Sequence, residues 1–263
     1  MTIAPGNGLF GVRGKTVLVT GGTRGIGLMI ARGFVEAGAT VVISSRKPDA
    51  CAKAEAELAE LGSCVAHPAD LSTEDGLAGL TARLAELTPR LDVLVNNAGA
   101  AWGAPLGEFP DSAFDKVLNL NVKAVFSLTQ RLLPALRAAA SPDDPARVIN
   151  IGSIDGLVRS WSDNYSYVAS KAAVHMLTRK LAATLAPEHI TVNAIAPGPF
   201  PSKMTAWALD DPDLRAGVIG GVPLGRLGTP EDIAGTAIFL AARAGAYLTG
   251  TVIPVDGGIS GTR

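Results

Sequence analysis

Cysteine is nearly absent from this chain. Cys51 and Cys64 are the only two among 263 residues, with no CxxC pair and no histidine nearby at ligand spacing. That argues against a disulfide framework or a zinc module and fits two buried, reduced thiols in a cytoplasmic protein. Histidine is also sparse: His67, His175 and His189 are too scattered to assemble a metal site. Charge is low and balanced, at 18% of residues and a net of -1, so no basic face for nucleic acid is expected. No apolar run reaches the roughly 18–20 residues that a membrane span requires. The opening "MTIAPGNGLFGVRG" lacks the charged start and apolar core of a signal peptide.

What the chain has in quantity is apolar residues, 48% of the total, enough for one large buried core. They are arranged in short β-branched runs that alternate with longer alanine-rich segments of helical period. The runs are "TVLVT" (16–20), "TVVIS" (40–44), "SCVAH" (63–67), "LDVLVN" (91–96), "RVINIG" (147–152), "ITVNAI" (190–195) and "TVIPVD" (251–256). Runs apolar on both faces suit strands covered on both sides. The segments between them predict helices near 25–37, 48–61, 73–87, 111–139, 165–186 and 230–242. This alternation predicts an α/β fold: a doubly wound parallel sheet of about seven strands, in a single domain over 1–263. The stretch 199–228, rich in proline, glycine and mixed apolar residues, reads as a lid between the last two strands.

Directly after the first run comes "TGGTRGIG", Thr20 to Gly27. Its glycines at 21, 25 and 27 depart from the G-x-G-x-x-G fingerprint but meet the same demands: a tight turn, close backbone approach to a pyrophosphate, and close helix–strand packing. Placed at the first strand–helix junction, the turn predicts a Rossmann-type dinucleotide site. The second run ends in Ser44, Ser45 and Arg46, where an NAD-selective site would carry an acidic residue. Hydroxyls and a cation suit the 2′-phosphate of NADP, and Arg24 inside the glycine turn adds a second positive charge.

Further motifs follow in order: "AD" at Ala69–Asp70, "NNAG" at Asn96–Gly99, "LNV" around Asn121, "IGS" ending at Ser153, "YVASK" at Tyr167–Lys171, and "PG" at Pro197–Gly198. With these the chain resembles the short-chain dehydrogenase/reductases from Lys15 to Gly258. More narrowly, "ARVINIGSIDG", "APGPFPSKMT" and "GAYLTGTVIPVDGG" are similar to 3-oxoacyl-thioester reductases of the rhamnolipid-biosynthesis type. The resemblance implies that Gly21, Thr23, Arg24, Gly25, Ile26 and Gly27 hold the cofactor phosphates, with Ser45 and Arg46 at the adenosine end. It implies that Asp70 and Leu71 meet the adenine, and that Asn97, Ala98 and Gly99 line the ribose side. Pro197, Gly198, Phe200 and Ser202 are expected at the nicotinamide end. It further implies Asn121 as support for a water chain to Lys171, and a homotetramer.

The stretch "NYSYVASK" leaves a choice of tyrosine. Tyr167 lies four residues before Lys171, on the same helix face, whereas Tyr165 lies roughly 240° round the helix. A carbonyl accepting hydride needs a proton on its oxygen, and a phenol supplies one. A lysine ammonium and an oxidised nicotinamide nearby are expected to lower the phenol pKa from about 10. Tyr167 is therefore the expected acid/base, also in contact with cofactor beside Lys171; Ser153 is expected to orient the substrate oxygen, and Tyr165 to pack. His175, one turn beyond Lys171, reads as a packed helix histidine. For the substrate, Trp102, Leu157, Trp161, Met204 and Trp207 are expected to line a mostly apolar pocket, with Phe200 beside them. The leading expectation is NADPH-dependent reduction of a 3-oxoacyl thioester. Another ketone, alcohol or sugar substrate stands beside it, as does a nucleotide-binding regulatory protein, although a binding module needs none of Ser153, Tyr167, Lys171 and Asn121.

Overall fold

The computed structural model describes residues 8–160, 162–203 and 205–262. All seven apolar runs are strands, with ends shifted by one or two residues: β1 (Thr16–Thr20), β2 (Thr40–Ser45), β3 (Cys64–Pro68), β4 (Val93–Asn96), β5 (Ala146–Ile151), β6 (Ile190–Pro197) and β7 (Val252–Val255). They form one parallel sheet in the order β3-β2-β1-β4-β5-β6-β7. The order reverses between β1 and β4, and ligands of such sheets bind outside the carboxyl ends of the strands at that point.

Strand periodicity sorts the core into two layers. Val17, Val19, Val41, Ile43, Val93 and Val95 face one side, where α1 (Gly25–Glu36), α2 (Pro48–Ala59) and, later in the chain, α9 (Pro230–Ala241) cover them. Leu18, Val42, Leu94 and Val148 face the other, against α3 (Glu74–Leu87) and the helices that follow β4 and β5. Each such side chain, fully buried, contributes about 1.5–3 kcal/mol of transfer free energy.

The segment predicted as one helix over 111–139 is divided. α4 (Asp111–Leu118) and α5 (Ala124–Ala139) are joined by a π turn at Asn119–Lys123. α6 (Tyr165–Leu185) follows β5. The region after β6 is not irregular throughout: it contains α7 (Ala206–Leu209) and α8 (Pro212–Gly220) before α9 (Pro230–Ala241).

Buried amides hold the centre of the sheet in register. Asn96 and Asn150 are paired neighbours on β4 and β5. The Asn96 amide donates to Asn150 Oδ1 at 2.9 Å and to Thr129 Oγ1 on α5 at 3.2 Å. Asn150 in turn donates to Thr178 Oγ1 on α6 at 2.9 Å. Every member is buried, so a lost partner would leave an uncompensated polar group, and the network fixes where β4 and β5 end.

Candidate active site

The strand ends collect the predicted residues at one edge of the sheet. After β1, Gly21 and Gly25 have φ of 66° and 53°, the left-handed region that glycine occupies without strain. Gly27 is required for a different reason: a Cβ there would stand 2.3 Å from Gly21 O and 2.4 Å from Asn97 Nδ2. Asn97 closes the turn from β4, donating to Thr20 O at 2.8 Å, while Thr20 Oγ1 accepts from the Asn97 and Ala98 amides at 2.9 and 3.0 Å. Arg24, the N-cap of α1, makes no side-chain cap, so the first amides of the helix have no side-chain acceptor there. An uncapped helix start behind a glycine cradle fits a dinucleotide pyrophosphate.

At the end of β2, Arg46 is exposed and Ser45 half-buried, while Ser44 is buried with no partner for its hydroxyl. Arg46 stands near Asp70. Burial would raise the Asp70 carboxyl, but the Ser72 hydroxyl and amide, with the positive charges of Arg46 and Lys116, hold it below its usual value. Asp70 Oδ1 accepts from Ser72 N at 3.0 Å and from Ser72 Oγ at 2.6 Å. The Leu71 side chain lies in the core, so only its backbone is placed to face a ligand.

Asn121 sits within the π turn, and its side chain bridges two elements. Its Oδ1 accepts from Ala100 N at 2.8 Å, and its Nδ2 donates to Ala100 O and to Ser170 Oγ on α6, both at 2.9 Å. The extra residue in the turn lets one amide reach both the loop after β4 and the catalytic-type helix.

Ser153 follows β5 and is buried, its hydroxyl accepting from Asp155 N at 3.1 Å. Lys171 is buried on α6 and donates from Nζ to Ile151 O at 2.7 Å, with Nζ 5.4 Å from the Tyr167 ring centre. Tyr167 keeps part of its ring open to solvent, while its phenol end is enclosed by protein. Burial pushes that phenol up to about 12, the Ser153 hydroxyl opposing the rise and the negative Asp155 adding to it. Burial likewise draws Lys171 down to about 8, with Asp155 offsetting part of the fall. Desolvation is thus the largest influence on Tyr167 within the protein, whereas the expected lowering called on oxidised nicotinamide as well as Lys171. The phenol is thereby held as a proton donor. Tyr165 is turned elsewhere, donating to Asp163 Oδ1 at 3.0 Å and meeting Phe109 edge-on at 5.6 Å.

Three comparisons bear on this arrangement. The family described as enoyl-(acyl carrier protein) reductase matches residues 21–260. The rhamnolipids biosynthesis 3-oxoacyl-(acyl-carrier-protein) reductase of Pseudomonas aeruginosa is 53% identical over 95% of this chain and 97% of its own. The solved structure of the Pseudomonas aeruginosa RhlG/NADP active-site complex matches with a TM-score of 0.94 at 52% identity, covering 96% of this chain and 98% of that one. A 2-dehydro-3-deoxy-D-gluconate 5-dehydrogenase of Pseudoalteromonas atlantica is 34% identical over 96% of this chain and 98% of its own. The chain belongs to the short-chain dehydrogenase/reductase family. It is therefore an oxidoreductase by family.

Within this dehydrogenase/reductase frame, the nicotinamide-end residues divide. Pro197 ends β6 in the core, and Gly198 packs so closely on Asp256 that a Cβ would meet its Cα at 2.7 Å. Ser202 returns to the glycine turn, its Cβ 3.3 Å from where a Cβ on Gly25 would stand. Phe200 is buried in the core, its ring packed against Gly228. Trp102, Leu157 and Trp207 are all exposed. Trp161 and Met204 lie outside the described residues. A cavity of about 390 Å³ is lined by Pro199 and Phe200 together with Leu224, Arg226, Asp232 and Asp256. Ser153, Tyr167 and Lys171 do not line it, and its cation is engaged, Arg226 donating to Asp232 Oδ2 at 2.6 Å.

His175 is buried beneath the Ser153 loop, packed on Gly152 and Gly156; burial lowers its pKa, opposed by a backbone interaction at Gly156 too poorly aligned to count as a full hydrogen bond. Among the described residues no cluster of three or more His, Cys, Asp or Glu could hold a metal ion, and no helix is long and apolar enough to cross a membrane. Sequence reasoning missed Lys116 beside Asp70, and it missed Asp155 beside Ser153. Proximity of Asp155 to Ser153 in the chain was the available signal.

Proposed function

We propose that this chain is an NADPH-dependent reductase that converts a 3-oxoacyl thioester to the 3-hydroxyacyl thioester. The observation that carries the reading is the juxtaposition of Ser153, Tyr167 and Lys171 at the strand ends beside a glycine cradle shaped for a dinucleotide. Bound NADPH supplies hydride to the carbonyl carbon. Ser153 orients the carbonyl oxygen, and Tyr167 delivers its phenolic proton to that oxygen as negative charge develops there. Lys171 steadies the tyrosinate left behind, and Asn121 anchors the loop after β4 to α6 so that proton supply can reach the lysine. Arg46 and Ser45, with Arg24 opposite, select the 2′-phosphate. Asn97, Ala98 and Gly99 line the ribose side, and Thr23 and Ile26 complete the phosphate turn.

The acyl assignment is supported by the identity to the Pseudomonas aeruginosa reductase and by three exposed apolar side chains, Trp102, Leu157 and Trp207, suited to an alkyl chain. The segment 199–228 acts as a lid over that chain. We further propose a cytoplasmic homotetramer, consistent with the free, buried Cys51 and Cys64. A second reading, reduction of a sugar-acid ketone, is favoured by the likeness to the Pseudoalteromonas enzyme. NADPH consumption with 3-oxoacyl coenzyme A esters and with keto-gluconates separates the two. Turnover confined to the keto-gluconates would reject the acyl reading, and no turnover with any ketone would favour a regulatory nucleotide-binding protein.

A further inference from the structure

Asp155 has no role in the mechanism just proposed, yet it joins both halves of the site. Its backbone amide donates to Ser153 Oγ at 3.1 Å. Its carboxylate Oδ2 accepts from Asn164 Nδ2 at 3.0 Å. Asn164 is the N-cap of α6, and its carbonyl accepts from the Tyr167 and Val168 amides at 2.9 and 3.1 Å. The bond therefore ties the loop that presents Ser153 to the first turn of the helix that presents Tyr167. The two elements also pack directly: a Cβ on Gly156 would stand 2.7 Å from the Lys171 carbonyl carbon.

Resting on the reading of Tyr167 as the acid, we propose that Asp155 is a positioning residue that clamps the Ser153 loop to α6 through Asn164 and sets a carboxylate beside the catalytic pair. Its charge reaches Tyr167 and Lys171 on α6, and His175 lies one turn further along, packed on Gly156. A carboxylate here raises the proton affinity of both Tyr167 and Lys171, so its removal lowers both together. His175 is held neutral by burial and does not supply an opposing charge near neutrality.

Two variants separate the clamp from the charge. Asp155→Asn keeps an acceptor for Asn164 but loses the charge; Asp155→Ala loses both. Reduction and the reverse oxidation are followed from neutral to alkaline pH in the holoenzyme. Tyrosinate absorbance is titrated in parallel, as a difference against Tyr167→Phe. Asp155→Asn should keep kcat for reduction within about threefold and move the oxidation limb and the tyrosinate titration to lower pH by roughly one unit, the scale for losing one nearby charge. Asp155→Ala should lower kcat for reduction roughly tenfold at unchanged NADPH affinity, the loss being rescued in Asp155→Asn. Asn164→Ala should reproduce the kcat loss without the pH shift. Profiles of Asp155→Asn that superimpose on the unmodified enzyme would overturn the electrostatic role, and undiminished kcat in Asp155→Ala would overturn the clamp. If Asp155→Ala does not fold, the isosteric Asp155→Asn and Asn164→Ala decide both points. An active Tyr167→Phe would instead remove the acid reading itself.

Discussion

Tyr165 and Tyr167 share a helix turn, and their surroundings differ in every respect that matters for proton transfer. Tyr165 is an exposed phenol bonded to an exposed carboxylate. The Tyr167 phenol is enclosed between Ser153 and a buried cation. Tyr167→Phe keeps the ring and deletes the proton, so kcat should fall about 10²–10⁴-fold, the usual contribution of a positioned acid. NADPH binding should persist, measurable by fluorescence titration, and Tyr165→Phe should retain most of the activity. Equal losses from both changes in folded protein would refute the assignment. At the other end of the cleft, Arg46→Ala should weaken NADPH roughly tenfold to a hundredfold while leaving NADH nearly unaffected, the scale of one charge-assisted hydrogen bond. Identical NADH and NADPH affinities in the unmodified protein would contradict the role given to Arg46. Residues of this kind were legible because spacing and type specify them: Gly27 by the absence of a side chain, Tyr167 and Lys171 by one helical turn. Arg147 was not. It reads as the start of a strand, yet it is wholly buried and donates to the Leu240 and Ala242 carbonyls at the end of α9. Only the packed fold brings that helix end to it.

At the scale of elements, the strands were readable because short β-branched runs, apolar on both faces, alternate with segments of helical period. The division of 111–139 into α4, π turn and α5 was hidden, since one extra residue in a helical turn leaves composition and periodicity almost unchanged. What stabilises it is non-local: Asn121 bonds to Ala100 on one side and Ser170 on the other. The segment 199–228 was legible as an insertion between the last two strands but not as α7 and α8, whose short, polar-flanked sequences carry little helical signal. Trp207 on α7 is 70% exposed, a large apolar surface held out at a segment proposed to close. If it covers an acyl chain, each buried CH₂ contributes about 0.8 kcal/mol. kcat/KM should then rise with chain length across 3-oxoacyl esters, and Trp207→Ala should flatten that rise while NADPH affinity stays constant. A flat series in the unmodified enzyme would remove the apolar lid.

For the whole molecule, the question is how many chains share their surfaces. On α4 and α5, Val117, Leu118, Val125, Leu128, Leu132 and Leu136 put apolar residues on more than one helix face, which by sequence alone argues for burial against a second chain. The fold corrects that argument: all but Leu118 are buried, and Leu118 is partly so, beneath the sheet and its neighbouring helices. A different set is left in solvent, Phe126 on α5 at 44% and Met176 on α6 at 61%. On the opposite edge, Tyr247, just before β7, is fully exposed. On the proposal of a homotetramer these side chains mark its two self-complementary interfaces, and two such two-fold contacts close into four chains. Light scattering on the purified chain at micromolar concentration should therefore give four times the chain mass. Met176→Glu places a charge in one interface alone, so it should yield dimers held by the other. Tyr247→Asp should yield the complementary dimer, and the double variant monomers. Each interface must bury upwards of about 1,000 Å² to persist at that concentration, which a single charged substitution at its centre is enough to disrupt. A monomer from the unmodified chain would reject the assembly, and a tetramer unaffected by both changes would mean that the chains meet through other surfaces.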